Sequence, residues 1–351
     1  MYDVFTVGTA TRDVFLQSHL FRPIADPHFA GNKEFPTGQA ECFAFGGKIE
    51  IPAPTFTVGG GAVNAATTFA RQGLRVAASF AVGKDYEGKE IIKTLKQENV
   101  VAAASVVRGV PTAYSTVLLS DRGERTILVY RGASETMGRL RADMLEARFA
   151  YVVPGAFPFP RVVALFRKLR AANTHIAMNP SGHYIAMGAK KLRPLLEQLS
   201  VLIVNREEAA SLTGVAYDTP EAVFLALQRL TPGIVVMTDG ARGVVVFDGA
   251  RTYRVGIFSE QQLVDRTGAG DAFGSGFVAG LLHSGKSKVE SEKWDEGSSF
   301  SEDDIRYAIR LGSANATSVV EKIGSTPGIL TQQQFKEGER WSTLDIQSSS
   351  H

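Results

Sequence analysis

Residues 264–277 read "VDRTGAGDAFGSGF" and run directly into the apolar segment "VAGLLHS". The small and apolar residues from 269 to 283 predict a helix, so the amides of Gly268, Ala269 and Gly270 fall at a helix start, where no backbone partner satisfies them. Such a start attracts anions. Glycine there lets an anionic group approach the backbone without a Cβ in the way. A carboxylate among those amides, Asp271, is a poor choice for simple anion binding, because like charges repel. It suits a base that takes a proton from an attacking hydroxyl while the amides absorb charge on a transferring phosphoryl group. A plainer reading fits the same letters: Asp271 complements the helix dipole and the glycines are packing points.

Outward from this stretch the chain repeats one rhythm, a short β-branched run, a turn, then a longer segment of helical period. That rhythm argues for an α/β fold with a mainly parallel central sheet covered by helices. Core strands are expected at 3–8, 75–82, 149–153, 174–178, 201–204, 233–238 and 243–248. Helices are expected at 61–72, 86–97, 160–172, 188–199, 206–213, 220–230, 269–283 and 302–322. Three segments alternate apolar and polar residues instead: 12–17, 47–57 and 112–131, the last with a hairpin around "SDRGE". They predict a small second sheet acting as a lid, with lid segments at about 10–18, 47–57 and 108–132. Residues 19–46 read as a loop or insertion, 285–301 as a mobile polar surface insertion, and 331–351 as a frayed tail.

The 351 residues carry 38 basic and 36 acidic side chains, a formal charge of +2. That balance lacks the basic footprint of a nucleic-acid binder. One cysteine, Cys42, excludes an intramolecular disulfide, and the start "MYDVFTVGTATRDVF" has no secretory pattern, so a cytoplasmic location is expected. No run reaches the roughly 18 apolar residues of a membrane span.

Two stretches together resemble the signatures of the ribokinase-like (PfkB) carbohydrate kinase family: "VGGGAVNAATTFARQG" at 58–73 the first, "DRTGAGDAFGSGF" the second. The resemblance extends over residues 3–330. It implies a three-layer α/β/α sandwich with a small β-sheet lid, a kinase domain over 1–330 and a C-terminal tail over 331–351. It implies ATP and Mg²⁺, with a hydroxymethyl group of a small sugar as acceptor. By this resemblance Asp271 is the catalytic base, and Gly268, Ala269 and Gly270 form the anion hole. Gly59, Gly60 and Asn64 match residues that contact the sugar, and Asp13 matches the acid that accepts bonds from its hydroxyls. Read locally, "GGG" is also a strand-to-helix turn and Asp13 a lid ion-pair partner.

"NREE" at 205–208 fits the family's pattern for organising magnesium through Asn205 and Glu208, and equally fits an ordinary helix cap. "TDGARG" at 238–243 resembles the nucleotide-side turn, making Thr238, Gly240 and Gly243 ATP contacts; Asp239 is assigned nothing. Asn179 occupies a position near the phosphates in relatives, although an Asn before Pro also forms turns. Some relatives bind a monovalent cation through an acid and a threonine upstream of the base, and Asp265 and Thr267 match these. Potassium is the ion implied, with further ligands from 318–328, where the spacing departs from the pattern.

Two motifs are decoys. "GLLHSGKS" at 280–287 satisfies the Walker A pattern but closes a helix rather than opening one, and "NAT" at 315–317 is a glycosylation pattern with no secretion to use it. A nucleoside is the alternative acceptor, with Phe15, Phe43, Phe45 and Tyr114 as candidates for a base slot. A phosphorylated acceptor would need a basic clamp, for which Arg108, Arg125 and Arg131 stand near the lid. The competing class is a non-catalytic sugar or nucleotide sensor. The oligomeric state is left open: lids in the family the chain resembles often pair edge to edge, and exposed strand edges invite a homodimer through the lid.

Overall fold

The computed structural model describes residues 1–21, 23–29, 39–120, 125–284 and 300–350. A ten-stranded sheet forms its spine. From one edge inward run β7 (Val101–Val107), β6 (Val76–Gly83), β1 (Val4–Gly8), β10 (Phe149–Val153), β11 (His175–Met178), β12 (Val201–Asn205) and β13 (Ile234–Thr238). All neighbours in this run are parallel. The sheet then continues antiparallel through β14 (Val244–Phe247), β15 (Arg251–Val255) and β16 (Ile346–Ser350).

Strands buried on both faces need continuous apolar sequence, and β1, β6 and β10 are buried throughout. Alternate residues feed two cores. Val4 packs with α1 (Gly61–Arg71), α2 (Tyr86–Gln97), α9 (Ala269–Ser284) and α10 (Glu302–Val320), through Phe69, Ile91, Phe277 and Ile309. Phe5 and Val7 face the other side, with α4 (Phe159–Ala171), α6 (Ala189–Leu196), α7 (Arg206–Thr213) and α8 (Pro220–Gln228), through Phe166, Leu195, Leu212 and Phe224. Short helices α3 (Ala142–Leu145) and α5 (Gly182–Ile185) join that second layer.

The lid is a four-stranded sheet ordered β5 (Thr55–Gly59), β2 (Thr11–Gln17), β8 (Ala113–Leu119), β9 (Arg125–Tyr130). β2 leaves the main sheet two residues after β1, and β5 enters α1 through Gly60. Within β8 the pattern alternates buried and half-buried, so Ser115 and Val117 face inward.

Several expectations need correction. Only Thr55–Gly59 of the 47–57 segment is a strand, because Pro52 and Pro54 remove ladder donors. The 19–46 stretch contains a small antiparallel pair, β3 (Pro23–Ala25) and β4 (Gln39–Glu41). Strand β7 was not expected: alanine-rich "VAAASVV" carries weak β signal and sits half-exposed at the sheet edge. The tail is not frayed. It forms α11 (Gln332–Glu337), a 3₁₀ turn and edge strand β16, anchored by Phe335 and Trp341, which are 3% and 5% exposed. Residues 121–124, within the stretch where a hairpin was expected, and 285–299, most of the expected polar insertion, lie outside the described residues. No described helix is long and apolar enough to cross a membrane.

Candidate active site

The carboxyl ends of the parallel strands carry Gly8, Val153, Asn205 and Thr238. In open parallel sheets this edge is where ligands bind. The first turn of α9 arrives there with Asp271, and Asn64 of α1 donates from Nδ2 to Asp271 Oδ2 at 2.8 Å. Desolvation pushes the Asp271 carboxyl above its ordinary value, and the Asn64 bond opposes that rise. The other end of the Asn64 amide, Oδ1, is buried and has no partner among the described residues. Two residues 207 positions apart therefore form one polar pair, with one acceptor still to be satisfied.

Gly60 caps α1 with φ 94°, and a Cβ there would lie 2.6 Å from the Thr9 carbonyl oxygen. Only glycine accommodates this turn, so part of the "GGG" signal is steric. Gly59 is different: a Cβ there would lie 2.1 Å from Asp13 Oδ2. Asp13, 6% exposed on β2, sits between Thr57 and Ser115 in the lid register and accepts from Thr11 Oγ1 at 3.0 Å. Burial raises its pKa, while Ser115 and Thr11 pull the other way. The Thr57 hydroxyl oxygen is buried without a partner among the described residues.

On the far side of the α9 start lies a cleft lined by Thr238, Gly240, Gly243, Gly256, Gly270 and Ser313 among others. Gly268 precedes α9 at φ 81°, with Ser325 closely against it, and a Cβ at Gly270 would meet open space. The Ala269 amide makes only a long turn bond, 3.4 Å, to the Arg266 carbonyl. Gly243, φ 91°, presses against the Val255 carbonyl where β14 begins.

Asn205 and Glu208 form the capping box that their spacing allows: Asn205 Oδ1 accepts from the Glu208 amide at 2.8 Å, and Glu208 Oε2 from the Asn205 amide at 2.9 Å. Burial raises the Glu208 pKa, the Asn205 amide bond opposes the rise, and the Asp271 charge adds to it. Asn179 follows β11 and is tied inward, its Nδ2 donating to the Ile203 carbonyl at 3.1 Å. Asp265 is fully buried: Oδ1 accepts from the Thr267 amide and hydroxyl, at 2.9 and 2.7 Å, and Oδ2 from the Gly324 amide at 3.0 Å.

Sequence reasoning missed three things. Asp239 bridges Arg206, at 3.1 Å, and Arg242, at 2.7 Å, while the Arg206 guanidinium lies 3.9 Å over the Tyr217 ring. Ser313 of α10 lines the cleft, a placement that only tertiary packing decides. Tyr151 of β10 lies buried beneath α9, its hydroxyl unpartnered among the described residues and 2.5 Å from where a Gly274 Cβ would be. Nothing local marks it, because "FAYVV" reads as an ordinary core strand.

Of the base-slot candidates, Phe15 is 1% exposed and belongs to the core, whereas Tyr114 alternates onto the opposite lid face from Ser115. Phe43 packs edge-on against Phe21 at 5.8 Å, and Phe45 is fully exposed. Among the clamp candidates, Arg125 feels the charges of Asp265 and Arg266, and Arg108 and Arg131 lie just outside the strands. In the Walker-like stretch, residues 280–284 close α9 and the remainder lies outside the described residues.

A mainly parallel sandwich with a β lid, and a carboxylate at a glycine-preceded helix start on its ligand edge, is the plan of a small-molecule enzyme. Residues 36–332 match the model of the pfkB family of carbohydrate kinases, and the chain belongs to that family. It is accordingly an ATP-dependent phosphotransferase acting on a sugar or nucleoside. The chain is similar to the ribokinase of Haemophilus influenzae, 28% identical over 322 residues covering 90% of this chain and 93% of that protein. It is similar to the cytidine kinase of Thermococcus kodakarensis, 27% identical over 243 residues, 68% of this chain and 83% of the other. The solved structure of a probable sugar kinase from Rhizobium etli superposes with a TM-score of 0.75, covering 97% of this chain and 99% of that one at 22% identity. The mostly parallel sheet with a small separate sheet is thus the ribokinase-like fold.

Proposed function

We propose that the chain transfers the γ-phosphoryl group of ATP to a hydroxymethyl group of a small sugar. The observation that carries this reading is the divided Asn64 amide. Its Nδ2 holds the Asp271 carboxylate, and its Oδ1 is buried without a partner among the described residues. A buried carbonyl oxygen left unpaired costs roughly 1–3 kcal/mol, and an acceptor hydroxyl donating to it removes that cost. The same amide then positions acceptor and base together. Asp13, walled in by Gly59, takes hydrogen bonds from other hydroxyls of the acceptor.

In this reading the Asp271 carboxylate takes the proton of the attacking hydroxyl as that oxygen bonds to the γ-phosphorus. The bond from that phosphorus to the β,γ-bridging oxygen breaks, and ADP leaves with the electron pair. The amides of Gly268, Ala269 and Gly270 absorb the charge on the moving group. Each preorganised donor of this kind is worth about 3–4 kcal/mol. The glycine-lined cleft has the open backbone a nucleotide requires, and Thr238, Gly240 and Gly243 border it. Asn179 and Asn205 stand at the phosphate end. Mg²⁺ bound through waters to Asn205 and Glu208 would neutralise charge on the β and γ oxygens. The residues fit such an ion: Glu208 is a desolvated carboxylate with its charge destabilised by Asp271, which a cation relieves. Asp265 and Thr267 belong to a potassium site only if a cation replaces hydrogen bonds they already make. The domain over 1–330 is the catalytic unit, and pairing of two lids is proposed for the homodimer.

A nucleoside acceptor has one specific observation behind it. On the inward lid face, Val129 pairs with Ser115 and Ile127 with Val117, and both β9 side chains are exposed, at 55% and 40%. They form an apolar strip onto which a base could pack.

The test is acceptor-dependent ADP formation from Mg·ATP over sugars, sugar phosphates and nucleosides, beside Asp271→Ala. Turnover with a sugar and its loss in the variant support the reading. Turnover with nucleosides alone selects the second. ATP binding with no acceptor-dependent turnover indicates a sensor.

A further inference from the structure

Thr68, Ser275 and Asn315 are each 0% exposed and meet where α1, α9 and α10 pack together. Asn315 Nδ2 donates to the Ala272 carbonyl at 2.8 Å and to Thr68 Oγ1 at 3.4 Å, while its Oδ1 accepts from the Leu330 amide at 3.0 Å. Thr68 Oγ1 and Ser275 Oγ lie 2.9 Å apart, and Ser275 Oγ is 2.6 Å from the Asp271 carbonyl oxygen. Each hydroxyl has one proton to give. The assignment that uses each once, along the shortest contacts, runs from the Asn315 amide to Thr68, from Thr68 to Ser275, and from Ser275 to the carbonyl of Asp271.

Both carbonyls reached by this chain, those of Asp271 and Ala272, belong to the first turn of α9. Thr68 also stands one turn beyond Asn64 on α1, with its hydroxyl 3.3 Å from the Asn64 carbonyl. The seam thus touches both residues of the Asn64–Asp271 pair from behind. Its anchor is the 324–330 loop, which is tied to α1 by Gln72 Nε2 donating to the Leu330 carbonyl at 2.8 Å, and to Asp265 through the Gly324 amide. Apolar side chains of similar volume would hold three helices together at least as well, since buried polar groups gain little net stability even when satisfied. What a fully satisfied network adds is one definite arrangement.

We propose that Asn315, acting through Thr68 and Ser275, is a positioning residue for phosphoryl transfer that fixes the rotation of the α9 start and the alignment of Asp271 with Asn64. This rests on Asp271 being the base. Loosening the seam lengthens the bond from Asn64 to Asp271, so the carboxylate loses a donor and its pKa rises further.

The test uses the full chain with Asn315→Leu, Thr68→Val, Thr68→Ser and Ser275→Ala, with Asp271→Ala alongside, reading kcat, both KM values, the pH profile of kcat/KM and the thermal midpoint. A misalignment of this kind is expected to lower kcat about tenfold in Asn315→Leu and Thr68→Val, with KM for ATP within about twofold. The acid limb should move to higher pH, and Thr68→Ser should restore wild-type behaviour. Ser275→Ala removes the last two links at nearly constant volume, so it reports even if Asn315→Leu does not fold. Unchanged kcat and pH profile in folded Ser275→Ala and Thr68→Val, whatever their midpoints, would overturn the proposal, as would equal losses in Thr68→Val and Thr68→Ser. Turnover surviving in Asp271→Ala would overturn the base assignment itself, and the positioning role with it; loss there beside unchanged seam variants sinks only the seam.

Discussion

Two contrasting kinds of helix start meet at the candidate site and around it. α7, α10 and α11 begin with closed capping boxes, Asn205 with Glu208, Ser301 with Asp304 and Thr331 with Gln334. α1 and α9 begin behind Gly60 and Gly268, which have no side chain to offer, and it is their first turns that carry Asn64 and Asp271. The α9 start leaves amides for something outside the protein, whereas closed starts use theirs internally, and α1 spends its Gly61 and Ala62 amides on the Thr9 hydroxyl and carbonyl. α7 is the mixed case: closed by its own box, yet facing the Asp271 charge.

Replacing Asp271 by Asn should separate the two kinds most sharply. The loss of a general base is expected to lower kcat by about 10²–10⁴ with little change in thermal midpoint. In the wild type, burial raises the Asp271 pKa above 3.8, and a base works only when ionised. Activity should therefore fall as pH drops through that raised value, with an acid limb in kcat/KM that Asp271→Asn lacks. A variant with unimpaired turnover would remove the catalytic meaning of the open start.

Next in size is Gly268→Ala. Its φ of 81° and the Ser325 Cβ 2.5 Å from a new Cβ make strain unavoidable. A stability loss of about 1–3 kcal/mol is expected by denaturant unfolding, together with reduced turnover. Stability without strain would show that the start relaxes.

The capped starts should respond more weakly and more simply. Asn205→Ala and Ser301→Ala should each cost about 1 kcal/mol by thermal unfolding. Only Asn205→Ala is expected to raise the Mg²⁺ concentration needed for half-maximal activity. An equal magnesium response in both variants would return Asn205 to a purely capping role.

The smallest effect concerns Tyr151→Phe. Removing a buried hydroxyl that has no partner among the described residues should leave stability unchanged or raise it by about 1 kcal/mol, with the pH profile unaltered. A shifted acid limb would mean that the hydroxyl supports Asp271.

The parallel strands were legible because two-sided burial demands continuous apolar runs, as in "VLIV" at 201–204. The open helix start was legible because glycine beside an acid is an unusual way to begin a helix. Asn205 and Glu208 were ambiguous in principle, since one spacing serves both a cap and a cation. Tyr151, Ser313 and Asn315 were out of reach because their meaning arises between helices far apart in sequence. Asn315, inside the discarded "NAT" motif, shows the limit well: the motif is spurious, and the asparagine is a fully buried hydrogen-bonding hub.

The last strand, β16, pairs along the outer side of β15 from Arg251↔Ser350 to Val255↔Ile346. Enzymatic trimming from the carboxyl terminus as far as Ile346 would strip that cover and leave β15 as a naked template for another chain. The polar, serine-rich ending is a seam of the fabric rather than a loose thread.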